Sequence, residues 1–289
     1  LLFSGRDAVP RTISESLSSG CYNISLDTLS DGKFYYKDIF GELVGNNELK
    51  IKLLSNKSFS YISNNILWKK IINIHIQDPK VNLNNFSYVI APEHDELDGG
   101  NVFSTKGAMH YLSREEIDDN SDYLKNRLDT NKEYFSLILG GPTKHYDYSD
   151  ENILKILDLF DNLISKNNLQ GIVIPSIRTP KNIIELCKNK LSTNSLIIDN
   201  IDKKAYLSAL SLAKYVAVTC DSTSMISEAA LTGKPIYIAD IPAKKNDHRI
   251  KKFKELFTKL NIIKKLDNKL ETWHYETLDE TSRIAKEIK

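Results

Sequence analysis

Residues 215–238 constrain the fold more than any other stretch of this 289-residue chain. An apolar run at 215–218 has the length and composition of a buried strand. The hydroxyl-rich turn Cys220-Asp221-Ser222-Thr223-Ser224 follows, and the spacing then becomes helical, with Met225, Ile226, Ala229 and Ala230 on one side. Gly233 stops that helix, and Pro235 opens a second short strand at 236–238. The piece is strand, turn, short helix, strand. Its turn aims backbone N–H groups and small hydroxyls at one point, where the positive end of a helix dipole also lies. A diphosphate suits that geometry.

The same alternation runs through the second half. Residues 135–139 read as a strand ending in Gly140-Gly141. Ser149 is placed to cap the next helix, whose apolar stripe is Ile153, Ile156, Leu157, Phe160, Leu163 and Ile164. Strands are predicted at 172–174 and 196–198 and a helix at 206–213. Thr179 and Pro180 are the expected cap and first position of another helix. Regular βα alternation predicts an α/β fold with parallel sheets and helices on both faces. Ligands of such sheets sit beyond the carboxyl ends of the strands, near a switch in strand order. The turns at 140–145, 176–179 and 221–224 fall at those ends and are expected to share one edge.

The first half is less regular. Strands are expected at 1–4, 50–54, 71–76 and 86–90, with Gly5 in the first βα turn, a helix over 11–17 and another between 54 and 71. Ser113-Arg114-Glu115-Glu116 has the spacing of a capping box, which predicts a helix running toward Arg127. The polar segment 129–133 reads as a linker, dividing the chain into two Rossmann-like domains, 1–130 and 131–289.

Composition removes several function classes. Lys plus Arg (39) balance Asp plus Glu (38), which argues against a nucleic-acid partner or broad attraction to an anionic membrane. The basic segments 249–254 and 262–265 read as solvated faces. Cys21, Cys187 and Cys220 lack paired spacing, so a reducing compartment is expected, with neither a disulfide framework nor a zinc site. Apolar runs fall well short of the ~20 residues that span a bilayer, and Leu1-Leu2-Phe3 shows no signal-peptide pattern. A cytoplasmic location follows as an expectation, with peripheral contact at the inner face of a membrane left open.

Three constellations offer chemistry. In Gly140-Gly141-Pro142-Thr143-Lys144-His145 the glycines let backbone approach an anion, Thr143 brings a hydroxyl, and Lys144 or His145 can offset phosphate charge. Walker and dinucleotide spacings are both absent. Around the second turn, Ser222 and Ser224 can bond phosphate oxygens beside Asp221, and Glu228, one helical turn after Ser224, suits the two hydroxyls of a ribose. In Pro92-Glu93-His94-Asp95, His94 is a candidate general base and Asp95 its rival. Gly99-Gly100-Asn101 and Thr105-Lys106-Gly107-Ala108 continue that region. The plain alternatives are an ordinary tight turn, a helix cap at Asp221 with a solvated Glu228, and a polar loop at 92–95. No Asp-x-Asp pair sits at a strand end and no His/Cys cluster has metal spacing, so no metal or other cofactor is required.

Several of these motifs, taken in order, resemble the mitochondrial fission ELM (elongated mitochondria) family, which has many bacterial members and a plant branch. They are Ile76-Gln77-Asp78-Pro79, Pro92-Glu93-His94-Asp95, Gly99-Gly100-Asn101, Thr105-Lys106-Gly107-Ala108, Gly140-Gly141 with His145, and Asp221-Ser222-Thr223-Ser224-Met225 with Glu228. The resemblance covers about residues 71–257. It implies a GT-B glycosyltransferase-like architecture, two Rossmann-like halves facing a cleft, with the nucleotide-sugar donor on the second half and the acceptor on the first. GT-B enzymes generally transfer without a bound metal. The expected function is sugar transfer from a nucleotide-diphosphate sugar to an unknown acceptor, such as an envelope glycan or lipid. The alternative is a non-catalytic adaptor that kept the fold. A sugar-nucleotide epimerase using bound NAD is disfavoured, because neither the fingerprint nor a Tyr-x-x-x-Lys pair in context is present.

Overall fold

The computed structural model describes residues 23–26, 41–44, 73–191 and 194–288. The expected elements at 1–4, 11–17 and 50–54, the Gly5 turn, the helix between 54 and 71, and the start of the 71–76 strand lie outside the described residues, as does Cys21. Strands β1 (Asn23–Leu26) and β2 (Gly41–Val44) pair in parallel, with Asn23 opposite Gly41. Neither strand is marked in the sequence, because four residues between polar segments show too little alternation. The chain divides into two compact units, one comprising Leu1–His75 with Asn84–Tyr88, the other Ile76–Leu83 with Val89–Lys289. Strand β3 (Ile74–Ile76) lies at their boundary. Strand β4 (Tyr88–Pro92) runs into the second unit and pairs in parallel with β5 (Val102–Thr105), Val89 opposite Val102.

The second unit is built on a six-stranded sheet. Helix α1 (Arg114–Asp119) precedes β6 (Glu133–Leu139). There follow α2 (Asp150–Lys166), β7 (Leu169–Pro175), α3 (Lys181–Lys190), β8 (Ser195–Ile197), α4 (Lys203–Leu212) and β9 (Ala213–Thr219). Then come α5 (Thr223–Ala230), β10 (Ile236–Ala239), α6 (His248–Lys259), β11 (Ile263–Lys265) and α7 (Glu280–Ile288). The spatial order is β11-β10-β9-β6-β7-β8, and every pairing is parallel. The α/β class expected from the alternation is the class observed.

This order fixes where the winding of the sheet changes direction. From β6 the chain winds outward through β7 and β8, then returns to lay β9, β10 and β11 on the other side. Helices leaving β6 and β9 therefore go to opposite faces, and the switch in strand order, where ligands of such sheets bind, falls between the ends of these two strands. The sheet beneath is rigid. Phe135, Leu137, Ile138 and Leu139 of β6 are buried, so both faces of that strand are covered. The six predicted stripe residues of α2 are all buried against the sheet, with the Phe160 and Phe135 ring centres 4.8 Å apart. Burying each such side chain stabilises the fold by about 1.5–3 kcal/mol.

Some expectations shift. The helix that starts at Ser113 does have its cap, since Ser113 Oγ accepts the Glu116 N–H at 3.1 Å. It ends at Asp119 rather than near Arg127, and 3-10 turns follow at Ser121–Tyr123 and Lys125–Arg127. The cause is local: a run of short polar residues, 118–122, is poor in a helix interior, and Asn120 Nδ2 donates back to the Glu116 carbonyl at 2.8 Å. Pro180, not Thr179, is the cap of α3, because the Thr179 hydroxyl is spent elsewhere. The strand expected at 86–90 is centred two residues later, at Tyr88–Pro92.

Candidate functional site

The three strand-end turns meet. Gly140 N–H donates to Thr219 Oγ1 at 2.7 Å, and Gly141 N–H donates to Asp221 Oδ2 at 3.0 Å, joining the ends of β6 and β9. The Gly140 carbonyl accepts from Ser176 Oγ at 3.0 Å and from Thr179 Oγ1 at 2.6 Å, which brings in β7. Arg178 closes the junction, with Nη1 donating to the Gly141 carbonyl at 3.2 Å and Nη2 2.8 Å from Asp221 Oδ2. Gly141 is required by the Arg178 backbone beside it, and Gly140 by the Asp221 side chain as it stands. A Cβ on Gly140 would lie 2.1 Å from Asp221 Oδ2, and one on Gly141 would lie 2.1 Å from the Arg178 carbonyl oxygen. The predicted convergence of residues 140–145, 176–179 and 221–224 is therefore present. Its chemistry is more specific than a pair of free amides, because both glycine N–H groups already have partners. The Asp221 side chain is 0% exposed and its Oδ1 has no hydrogen bond among the described residues, while Arg178 is 38% exposed. Arg178, paired with Asp221, is the cation inside this junction, and the sequence motifs do not single it out. The only signal is its place in the turn after β7.

Helix α5 starts at the same edge. Ser222 is its N-cap, accepting the Met225 N–H at 3.4 Å, and Ser224 is exposed in the first turn. Ile226, Ala229 and Ala230 hold the helix to the sheet. Glu228 is not a solvated residue: Tyr206 Oη of α4 donates to Glu228 Oε2 at 2.6 Å. Burial raises the pKa of the Glu228 carboxyl, and the tyrosine hydrogen bond opposes that. Burial beside this carboxylate pushes the Tyr206 phenol well above its ordinary value. Tyr206 is a second site residue that no motif in the sequence marks.

The loop after β5 is seated on α5. Ser227 Oγ accepts the Ala108 N–H at 2.9 Å and donates to the Thr223 carbonyl at 2.8 Å. A Cβ on Gly107 would lie 2.8 Å from Ser227 Oγ, so any larger residue there would have to displace the hydroxyl that holds Ala108. Helix α7 holds the other side of this loop. The buried Glu280 accepts the Lys106 N–H at 2.6 Å and pairs with Arg283, which donates to the Ser104 carbonyl at 2.6 Å.

Residues 140–148 and the turn after β4 reach the start of α6 from two sides. Thr143 Oγ1 accepts the His145 N–H at 3.2 Å, and the His145 carbonyl accepts the Lys244 N–H at 2.7 Å. His145 Nδ1 is 3.7 Å from Asp247 Oδ2, and Asp247 caps α6 through the Ile250 N–H at 3.3 Å. Two residues on, Arg249 Nη2 is 2.6 Å from Asp95 Oδ1. His94 and Asp95 occupy a 3-10 turn at the end of β4, with His94 Nε2 3.8 Å from Asp95 Oδ1. Burial lowers the His94 pKa; Arg249 adds to this, while Asp95 and Asp247 oppose it. The segment 249–254 is thus no simple solvated face, since Arg249, Lys252 and Lys254 pair with Asp95, Glu96 and Asp240. Among the described residues no helix is long and apolar enough to cross a membrane.

The family model described as Mitochondrial fission ELM1 matches residues 63–289. The chain belongs to this family. All the residues just placed fall inside the matched span. An uncharacterized protein of Rickettsia prowazekii is 26% identical over 264 residues, covering 77% of this chain and 74% of its own length. Mitochondrial fission protein ELM1 of Arabidopsis thaliana is 22% identical over 248 residues, 75% of this ELM-family chain. The alignment spans only 57% of the plant protein. Among solved structures, UDP-GlcNAc 2-epimerase from Methanocaldococcus jannaschii aligns with a TM-score of 0.46 at 16% identity, covering 96% of this chain and 95% of its own.

Proposed function

We propose that this ELM-family chain binds a nucleotide-diphosphate sugar in the crevice between the ends of β6 and β9 and transfers the sugar to an acceptor hydroxyl. The observation that carries this reading is the meeting of the Gly140-Gly141 turn, Arg178 and the start of α5 where the strand order reverses, with Glu228 one helical turn further on. In this reading the diphosphate lies against Arg178, Ser222, Ser224 and the first N–H groups of α5, and Glu228 takes the ribose hydroxyls. Gly140, Gly141, Thr143, His145 and Asp221 shape and hold that edge. An acceptor oxygen attacks the anomeric carbon and its proton passes to His94 or Asp95. The bond from that carbon to the diphosphate oxygen breaks, and the nucleoside diphosphate leaves with the electron pair. Arg178 and the helix start stabilise the leaving charge, and the proposal invokes no metal. A donor side in residues 131–289, an acceptor side in 1–130, a GT-B arrangement of the two and a cytoplasmic location belong to the same proposal.

A non-catalytic binding role is the second reading. It is favoured by the way Asp221 already occupies the Gly141 amide and Arg178. Titration calorimetry with UDP, GDP and ADP, followed by an assay of donor turnover, separates the two. Sugar transfer predicts binding that weakens in Ser222→Ala and Glu228→Ala, together with turnover. Binding without donor hydrolysis or transfer supports the adaptor, and no binding of any of the three by the wild type refutes the donor site.

A further inference from the structure

The turn after β4 holds a buried histidine and a buried carboxylate that are neighbours without being bonded. The side chains of His94 and Asp95 are 6% and 3% exposed, and their near atoms stand 3.8 Å apart, beyond hydrogen-bonding distance. Asp95 Oδ1 is held instead by Arg249 Nη2 at 2.6 Å. His94 Nδ1 and Asp95 Oδ2 are buried with no hydrogen-bond partner among the described residues. The imidazole is fixed by packing, edge-on to Phe253 of α6 with ring centres 5.7 Å apart. Phe253 and Arg249 lie on the same helix, so one element both seats the ring and draws the carboxylate aside.

A carboxylate bonded to an imidazole stabilises the protonated ring, so near neutral pH a smaller fraction of the ring is free to accept a proton. We propose that Arg249 is a positioning residue: by clamping Asp95 away from His94 it leaves the imidazole nitrogen, and not the carboxylate, as the atom that takes the acceptor's proton. The proposal rests on the transfer reading for its purpose, but the clamp can be measured without any substrate. The charged groups acting on His94 are Asp95, Arg249 and Asp247; the burial that lowers its pKa and the Arg249 charge work together against the two carboxylates. Lys252, on the next turn of α6, is paired with Glu96. Arg249 is 63% exposed, so its replacement opens no core.

The test is an NMR titration of the histidine ring resonances in the full chain, with His94→Asn to assign His94. In Arg249→Gln, Asp95 is released toward the ring, and the His94 midpoint is expected to move up toward that of an exposed histidine. Arg249→Lys keeps the charge and stays with the wild type. In an Asp95→Asn background, Arg249→Gln should produce a much smaller rise, because no carboxylate remains to be released. An unmoved midpoint in Arg249→Gln overturns the clamp, as does an equal rise with and without Asp95. Thermal melts of each variant confirm that the fold is kept. Nucleotide calorimetry on the same samples separates this proposal from the donor site. A wild type that binds no nucleotide sinks the transfer reading whatever His94 does, and unmoved titrations sink the clamp even where nucleotide binds.

Discussion

Gly141→Ala probes the packed junction at the crevice most sharply. The new Cβ would lie 2.1 Å from the carbonyl oxygen and 2.4 Å from the carbonyl carbon of Arg178. Both atoms are backbone, so relief requires the turn between β7 and α3 to move. That movement breaks the Gly141 N–H bond to Asp221 and the Arg178 bond to the Gly141 carbonyl, and it draws the guanidinium off Asp221. Crowding of this kind costs about 1–3 kcal/mol. The two or three hydrogen bonds add about 1 kcal/mol each, more where a buried carboxylate is left short of partners. The expected loss is on the order of 3–6 kcal/mol, which at about 2–4 °C per kcal/mol lowers the melting midpoint by roughly 6–24 °C. Gly140→Ala should cost less, about 2–3 kcal/mol, because its nearest obstacle is the far end of the Asp221 side chain, which can rotate away at the expense of its own bonds. A methyl group added at Gly100 would meet nothing within 4 Å among the described residues, so Gly100→Ala is the control, neutral to within about 0.5 kcal/mol. Scanning calorimetry of the three variants gives the order directly. A Gly141→Ala midpoint close to that of Gly100→Ala would refute the close approach of the two turns.

Three further outcomes follow from the packing. Lys234 donates to the Leu210 carbonyl at 2.8 Å and to the Ser211 carbonyl at the end of α4, and burial pulls its pKa down to about 8 from 10.5. The native lysine therefore sheds its proton at lower pH than the unfolded one, so the wild type should gain stability relative to Lys234→Met as pH rises from 8 toward 10.5. The gain is on the order of 3 kcal/mol and is read from urea midpoints, and parallel pH profiles would contradict it. Phe160→Ala removes a buried ring packed on Phe135 and should cost about 3–5 kcal/mol in denaturant unfolding, where a loss under about 1 kcal/mol would mean that the helix does not pack there. Ser227→Ala deprives the Ala108 N–H of its acceptor, so hydrogen exchange at that amide should speed up by about tenfold, the equivalent of the roughly 1–2 kcal/mol lost; an unchanged rate would detach the loop from α5.

What could be read from the sequence was local or periodic. The stripe of α2 repeats with helical spacing, and all six of its residues are buried as that repeat requires. The convergence of the turns at 140–145, 176–179 and 221–224 needed only the βα alternation, since parallel strands put their carboxyl ends on one edge. The charge pairs at that edge were not legible. Arg178 with Asp221, Arg249 with Asp95 and Tyr206 with Glu228 join residues on different elements, and no spacing along the chain marks them. The sequence offered Asp221 as the cap of α5, but Ser222 holds the position because Asp221 is turned back to the Gly141 amide. The helix expected toward Arg127 failed for a compositional reason that was visible, a run of short polar residues after Ile117.

A crystal structure grown with a saturating nucleoside diphosphate tests the donor crevice most directly. The diphosphate oxygens should lie within hydrogen-bonding distance of Arg178 and the Ser222–Ser224 backbone, with the ribose hydroxyls on Glu228. Nucleotide density anywhere else on the molecule, or none at a concentration that saturates related binders, would contradict the account.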